Sequence, residues 1–86
     1  MKFIISRHAH EEMERRGITR NLVESILQNP QQVVDEYGQK KAYQSIIDSG
    51  TGKDYLVRVI ANDSVDPAVV VTVYKTNKIR KYWRES

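Results

Sequence analysis

The chain has 86 residues, of which 40% are hydrophobic and 29% are charged, a composition typical of one small globular domain. A chain of this length buries only about 60–65% of its unfolded surface, which excludes a multidomain enzyme and makes a dinucleotide-binding fold unlikely on size. Because cysteine is absent, disulfides, thiolate metal sites and a cysteine nucleophile are excluded. The apolar runs are too short for a membrane span or a signal peptide, so we expect a cytoplasmic protein.

The net charge of +3 is unevenly distributed along the chain. Residues 1–74 carry nine Lys or Arg and ten Asp or Glu, whereas residues 75–86 carry five Lys or Arg and a single Glu. The whole positive excess therefore lies in the last twelve residues. A local excess of this kind indicates an anionic partner.

The first third of the sequence predicts two helices. Ser6 is a good N-cap for a helix over residues 7–16, and Gly17 suits the left-handed position that ends it. Thr19 can cap a second helix that continues to about residue 28, where an Asn-Pro pair stops it.

From residue 32 the hydrophobic pattern changes to a period of two and predicts strands rich in Val, Ile and Tyr. The predicted strands cover residues 33–37, 41–48, 54–61 and 68–75. Their short joints favour hairpins. We therefore expect an α+β fold in which two N-terminal helices pack on one face of a four-stranded or five-stranded antiparallel sheet, and the other face is left to solvent or to a ligand.

The alternation of side chains predicts which residues lie on that open face. Arg58, Thr72 and Tyr74 share it, provided that the register of the last two strands aligns them. The opposite face of the last strand is predicted to cover the helices with three valines: Val69, Val71 and Val73.

His8 is the first candidate for chemistry, because a neutral imidazole can act as a general base. The alternative is a solvated or capping His8, beside a surface ion pair between Glu12 and Arg15 or Arg16. His8 and Glu12 supply only two metal ligands, without the His-Glu-x-x-His spacing, and the chain has no third histidine, so we expect no metal and no cofactor.

The segment from Tyr74 to Arg84 alternates basic and aromatic residues, a pattern typical of single-stranded nucleic-acid binding. Cations hold phosphates in such sites and ring faces stack on bases. The alternative is a solvated terminal segment in which Tyr82 and Trp83 close the core. The predicted nucleic-acid-binding residues are Lys75, Lys78, Arg80, Lys81, Tyr82 and Arg84.

The run from Ile5 to Ile18, ISRHAHEEMERRGI, resembles the Ser-x-His-Ala…Arg-Met…Arg-Gly-Ile opening of a family of small prokaryotic and phage proteins, domain of unknown function 4258. The later run from Val71 to Thr76, VTVYKT, also resembles that family. One departure is Glu12, which stands where the family often has arginine. The overall plan of the family is similar to that of RelE-like and BrnT-like toxins.

Those toxins are metal-independent endoribonucleases, so the resemblance implies RNA as the substrate and a cognate antitoxin as a protein partner. Such cleavage needs a base, an acid and a cation beside the phosphorane. The candidate catalytic residues are His8, Arg16, Arg58, Thr72 and Tyr74; Arg58 comes from the strand pattern alone, and the others match the family's motifs. The alternative functions are a non-catalytic nucleic-acid-binding module and a protein-interaction module.

Overall fold

A computed structural model describes residues 1–85 of the chain. Its elements, in chain order, are β1 (Phe3–Ile5), α1 (Arg7–Arg16), α2 (Arg20–Gln28), β2 (Gln32–Asp35), β3 (Lys41–Asp48), β4 (Asp54–Asn62), β5 (Ala68–Thr76) and α3 (Ile79–Tyr82). The fold is therefore α+β. Within residues 1–85, no helix is long and apolar enough to cross a membrane.

Both N-terminal helices begin and end where the sequence predicts. The Ser6 side chain accepts a hydrogen bond from the backbone N–H of Ala9, and Gly17 ends α1 with a φ of 66°. Thr19 caps α2 in the same way, by accepting from the backbone N–H of Leu22. These bonds satisfy N–H groups that lack a partner in the first turn of a helix.

The sheet has five strands in the order β1-β5-β4-β3-β2. The strands β2 to β5 form the expected antiparallel meander, but β1 pairs in parallel with β5, so that Phe3 lies opposite Ala68. The sheet is thus mixed, and the prediction of an entirely antiparallel sheet was wrong. A parallel pair needs a long crossover, and here most of the chain lies between its two strands.

The main core joins α1 and α2 to one side of the sheet, which we call the helix face. Ala9 of α1 and Val23 of α2 are fully buried in one cluster with Val57 and Val59 of β4. A bulge in β5, where the register shifts opposite Ile60 and Ala61, changes which residues join this cluster. The valines of β5 in the cluster are Val70 and Val73.

The prediction of a continuous Val69-Val71-Val73 face was therefore wrong at its first two positions. The extra residue of a bulge reverses the alternation on one side of it. Of the three valines, Val73 is fully buried, whereas Val69 and Val71 remain partly exposed.

The opposite side of the sheet, which we call the arginine face, carries Arg58 because β4 alternates between Val57, Arg58 and Val59. This face is not left open as the sequence predicted. The short helix α3 and the residues after it lie against it, and the ring centroid of Tyr82 is 4.5 Å from the guanidinium carbon of Arg58. The side chain of Arg58 is consequently only 3% exposed.

Candidate functional site

A row of polar side chains crosses the arginine face from β2 to β5. The register places Gln32 opposite Gln44, Gln44 opposite Arg58, and Arg58 opposite Tyr74. Residues paired across neighbouring strands point to the same face, so these four side chains meet in sequence. Gln44 and Arg58 are buried, Gln32 and Tyr74 are partly buried, and we call these four residues the polar row.

Arg58 lies at the centre of the polar row and is bound on three sides. Its Nε donates to Oε1 of Gln44 at 2.7 Å, and its Nη1 donates to the hydroxyl of Tyr74 at 2.6 Å and to Oε1 of Glu36 at 3.1 Å. Burial of a charge is costly without a counter-ion and hydrogen bonds. Glu36, which follows β2, supplies that counter-ion from a side chain that is one-third exposed.

The Tyr74 hydroxyl remains protonated in this environment. Burial raises the pKa of Tyr74, although the neighbouring Arg58 guanidinium opposes the shift. Because the phenol oxygen accepts from Arg58, its own proton is free to be donated to another group. A carboxylate, a guanidinium and a phenolic proton donor thus converge within hydrogen-bonding distance.

The C-terminal segment, residues 79–84, covers this group. The ring of Tyr82 meets that of Tyr74 edge to face, with 6.0 Å between the centroids. Its backbone carbonyl accepts from Nε2 of Gln44 at 3.2 Å. Gln32 binds the backbone of Arg84 twice, because its Nε2 donates to the carbonyl at 2.6 Å and its Oε1 accepts from the N–H at 3.1 Å.

The predicted catalytic residues fall into two groups. Arg58 and Tyr74 are hydrogen bonded, and Thr72 lies in the next row of the same face, opposite Ile60. His8 and Arg16 belong to α1, which packs on the helix face. A single site that combines His8 with Arg58 is therefore not formed.

The surroundings of His8 and Arg16 resemble the surface alternative that the sequence left open. His8 is 62% exposed, and its Nε2 is 4.0 Å from Oε1 of Glu12. The same carboxylate accepts from Arg15 at 3.0 Å and from Arg16 at 3.4 Å. The Glu12 side chain is only 16% exposed, but His8 and Arg15 are 62% and 71% exposed, and ion pairs with such exposed partners contribute little to stability.

The predicted nucleic-acid-binding residues lie mainly around α3. Lys78 precedes it, Arg80 and Lys81 are exposed on it, and Arg84 follows it. Lys75 instead pairs with Val57 and therefore lies on the helix-face side of β5, where its Nζ is 5.3 Å from the ring centroid of Tyr55. Tyr82 is partly buried against Arg58, so its ring is engaged within the protein.

Sequence reasoning missed Glu36, Gln32 and Gln44. The sequence placed Arg58 on an open face and so gave no reason to look for its partners, whereas the buried guanidinium of the structure needs a carboxylate and further acceptors. The register between β2 and β3 was needed to select these three residues, and the local sequence does not specify it. Within the described chain, no three His, Asp or Glu side chains are grouped so that they could hold a metal ion.

Comparison with known families gives one match, over residues 5–75, to the model of a domain of unknown function, DUF4258. The chain belongs to the DUF4258 family. The match begins at the last residue of β1, includes the polar row and all but the last residue of β5, and stops before α3. No curated protein and no solved structure matches this DUF4258 chain.

Proposed function

We propose that this DUF4258 protein is an RNA-binding protein with a RelE/BrnT-like fold, and that it cleaves RNA without a metal, as a toxin or a relative of one. The observation that carries the proposal is that Glu36 and Tyr74 both lie within 3.1 Å of Nη1 of Arg58. These are the three kinds of group that the reaction needs. A protein that acts on cellular RNA is expected in the cytoplasm, and a cognate antitoxin would be its protein partner.

In the proposed reaction the ribose 2′-oxygen attacks the adjacent phosphorus while Glu36 takes the 2′-hydroxyl proton. Arg58 stabilises the negative charge of the phosphorane through its N–H groups. The bond from phosphorus to the 5′-oxygen then breaks, and Tyr74 gives its proton to that oxygen. The products are a 2′,3′-cyclic phosphate and a 5′-hydroxyl, and no metal takes part.

The cations around α3 are proposed to hold the flanking phosphates. Lys78, Arg80 and Lys81 are exposed; Arg80 and Lys81 lie in the C-terminal segment, and Lys78 directly precedes it. Each phosphate contact to a single strand contributes about 0.7 to the slope of log affinity against log salt. Three to five contacts therefore predict a slope of about −2 to −3.5.

Cleavage is tested with a single-stranded RNA at low salt and with a chelator present. We expect the wild type to produce 2′,3′-cyclic phosphate ends, and we expect Glu36→Gln to lower the rate by about 100-fold or more. The matched control is Glu24→Gln, a change of the same kind on α2. An intact RNA in the wild-type reaction, or equal rates for wild type and Glu36→Gln, would remove the enzyme proposal.

A second candidate is a non-catalytic binding module, favoured by the observation that the hydrogen bonds of Arg58 are already made within the protein. It predicts the same salt slope without cleavage, and loss of binding when Lys78, Arg80 and Lys81 are replaced by alanine. A third is a protein-interaction module that adds a partner strand to β2, a sheet edge on which Val33 is half exposed. It predicts no salt-steep RNA binding.

A further inference from the structure

The contacts that hold the C-terminal segment have an unusual chemical character. The arginine face binds this segment through one aromatic ring and through backbone carbonyl and N–H groups at residues 82 and 84. Flat rings and paired donor and acceptor groups are also the features of a nucleobase: a π face to stack, and an edge for hydrogen bonds.

The geometry at Tyr82 is that of stacking on a cation. Its ring centroid lies 4.5 Å from the guanidinium carbon of Arg58, whereas the centroid of Tyr74 lies 5.7 Å away. Guanidinium planes and aromatic rings are common stacking platforms for unpaired bases. The position of the Tyr82 ring is therefore suited to any base.

The two glutamine amides bind the backbone of the segment that carries this ring. Gln44 is fully buried, and its Nε2 donates both to the carbonyl of Tyr82 and to Oε1 of Gln32. Gln32 in turn donates to and accepts from the backbone of Arg84. A glutamine amide can donate and accept at once, which is how it binds the edge of a base.

The covering segment is held by few other interactions. The helix α3 has four residues, none of them buried, and its first turn has no side-chain cap. Short helices without a cap or a buried face have little stability of their own. The segment therefore depends for its position on the contacts with the arginine face described above.

We infer that Tyr82 occupies the place of an unpaired RNA base, which stacks on Arg58 and is read by Gln44 and Gln32 when the C-terminal segment moves away. This inference rests on the proposed function, which supplies RNA as the class of ligand. The C-terminal segment then competes with RNA for the arginine face. The apparent affinity for RNA is lowered in proportion to the fraction of molecules in which the segment covers this face. Removal of the Tyr82 ring should consequently strengthen base binding.

The probe is a mixed-sequence RNA hexamer with 2′-O-methyl groups, which cannot be cleaved through its 2′-oxygens, compared with an abasic hexamer that keeps the phosphates. We expect Tyr82→Ala to bind the base-bearing hexamer at least fivefold more tightly than the wild type does, with no gain for the abasic one. The matched control, Lys78→Ala, should weaken the binding of both hexamers equally. Equal or weaker binding of the base-bearing hexamer by a folded Tyr82→Ala protein would overturn the inference.

If the wild type binds neither hexamer, the proposed function itself fails. If the wild type binds both hexamers but Tyr82→Ala binds the base-bearing one no more tightly than the wild type does, only the inference fails.

Discussion

Replacement of Arg58 by methionine measures how far the polar row stabilises the fold, since methionine keeps a long side chain but has no donors. The buried Gln44 then loses the donor 2.7 Å from its Oε1, and an unpaired buried acceptor costs about 1–3 kcal/mol. The ring of Tyr82 loses a cation contact worth about 0.5–2 kcal/mol. Glu36 adds little, because its side chain is 33% exposed and water can solvate it.

The desolvation of the guanidinium is relieved in this variant and offsets part of the loss. We therefore expect the free energy of unfolding to fall by about 1.5–4 kcal/mol. Urea unfolding followed by far-ultraviolet circular dichroism gives this value. The matched control is Arg15→Met, at a side chain that is 71% exposed, where the expected change is below about 0.5 kcal/mol. A loss at Arg58 no larger than that of the control would refute the reasoning.

Three further predictions concern stability. Ser6→Ala removes the cap of α1 and should lower the free energy of unfolding by about 1 kcal/mol in urea titrations; no change would mean that water replaces the cap. Gly17→Ala should cost about 1 kcal/mol through its φ of +66° alone, since a Cβ there meets no atom within 4 Å; a stabilised variant would contradict this. The Tyr43 hydroxyl lies 2.5 Å from Oδ2 of Asp63 and lowers the pKa of that carboxyl. The ionised Asp63 therefore stabilises the fold at pH values above its ordinary pKa, and this stabilisation is lost as the pH falls through the lowered pKa. Tyr43→Phe should accordingly lose less stability than the wild type between pH 7 and pH 3, whereas Tyr37→Phe, at a residue that is 93% exposed, should match the wild type.

The parts of the fold that the sequence predicts correctly are those with local signals. Ser6, Gly17 and Thr19 determine the helix ends through bonds and angles that involve only their near neighbours. The strands of the meander follow the period of two, and β3 has the predicted bounds. The placement of Arg58 and Tyr74 on the same face could also be predicted, because the two residues pair before the register shift between Ile60 and Ala61.

The parts that escaped prediction depend on contacts between distant residues. The strand β1 has three residues, too few for a clear period, and its partner β5 begins at Ala68. The bulge in β5 has no glycine to mark it. Glu36 reaches Arg58 across 22 positions of the chain, and Tyr82 lies on it only because the chain reverses after β5. The alternation of residues along a strand predicts the sheet face on which each side chain lies. It does not predict which distant side chain will contact it there.

The parallel pairing of β1 with β5 also determines when this protein can complete its fold. Ser6 is bound to the backbone of Val70 and Val71, so the start of α1 is anchored to residues about four-fifths of the way along the chain. Closing so long a loop costs entropy before any contact repays it, and folds that rely on distant pairings form slowly. During synthesis, the start of the first helix therefore lacks its hydrogen-bond partners on the last strand until Val71 has left the ribosome.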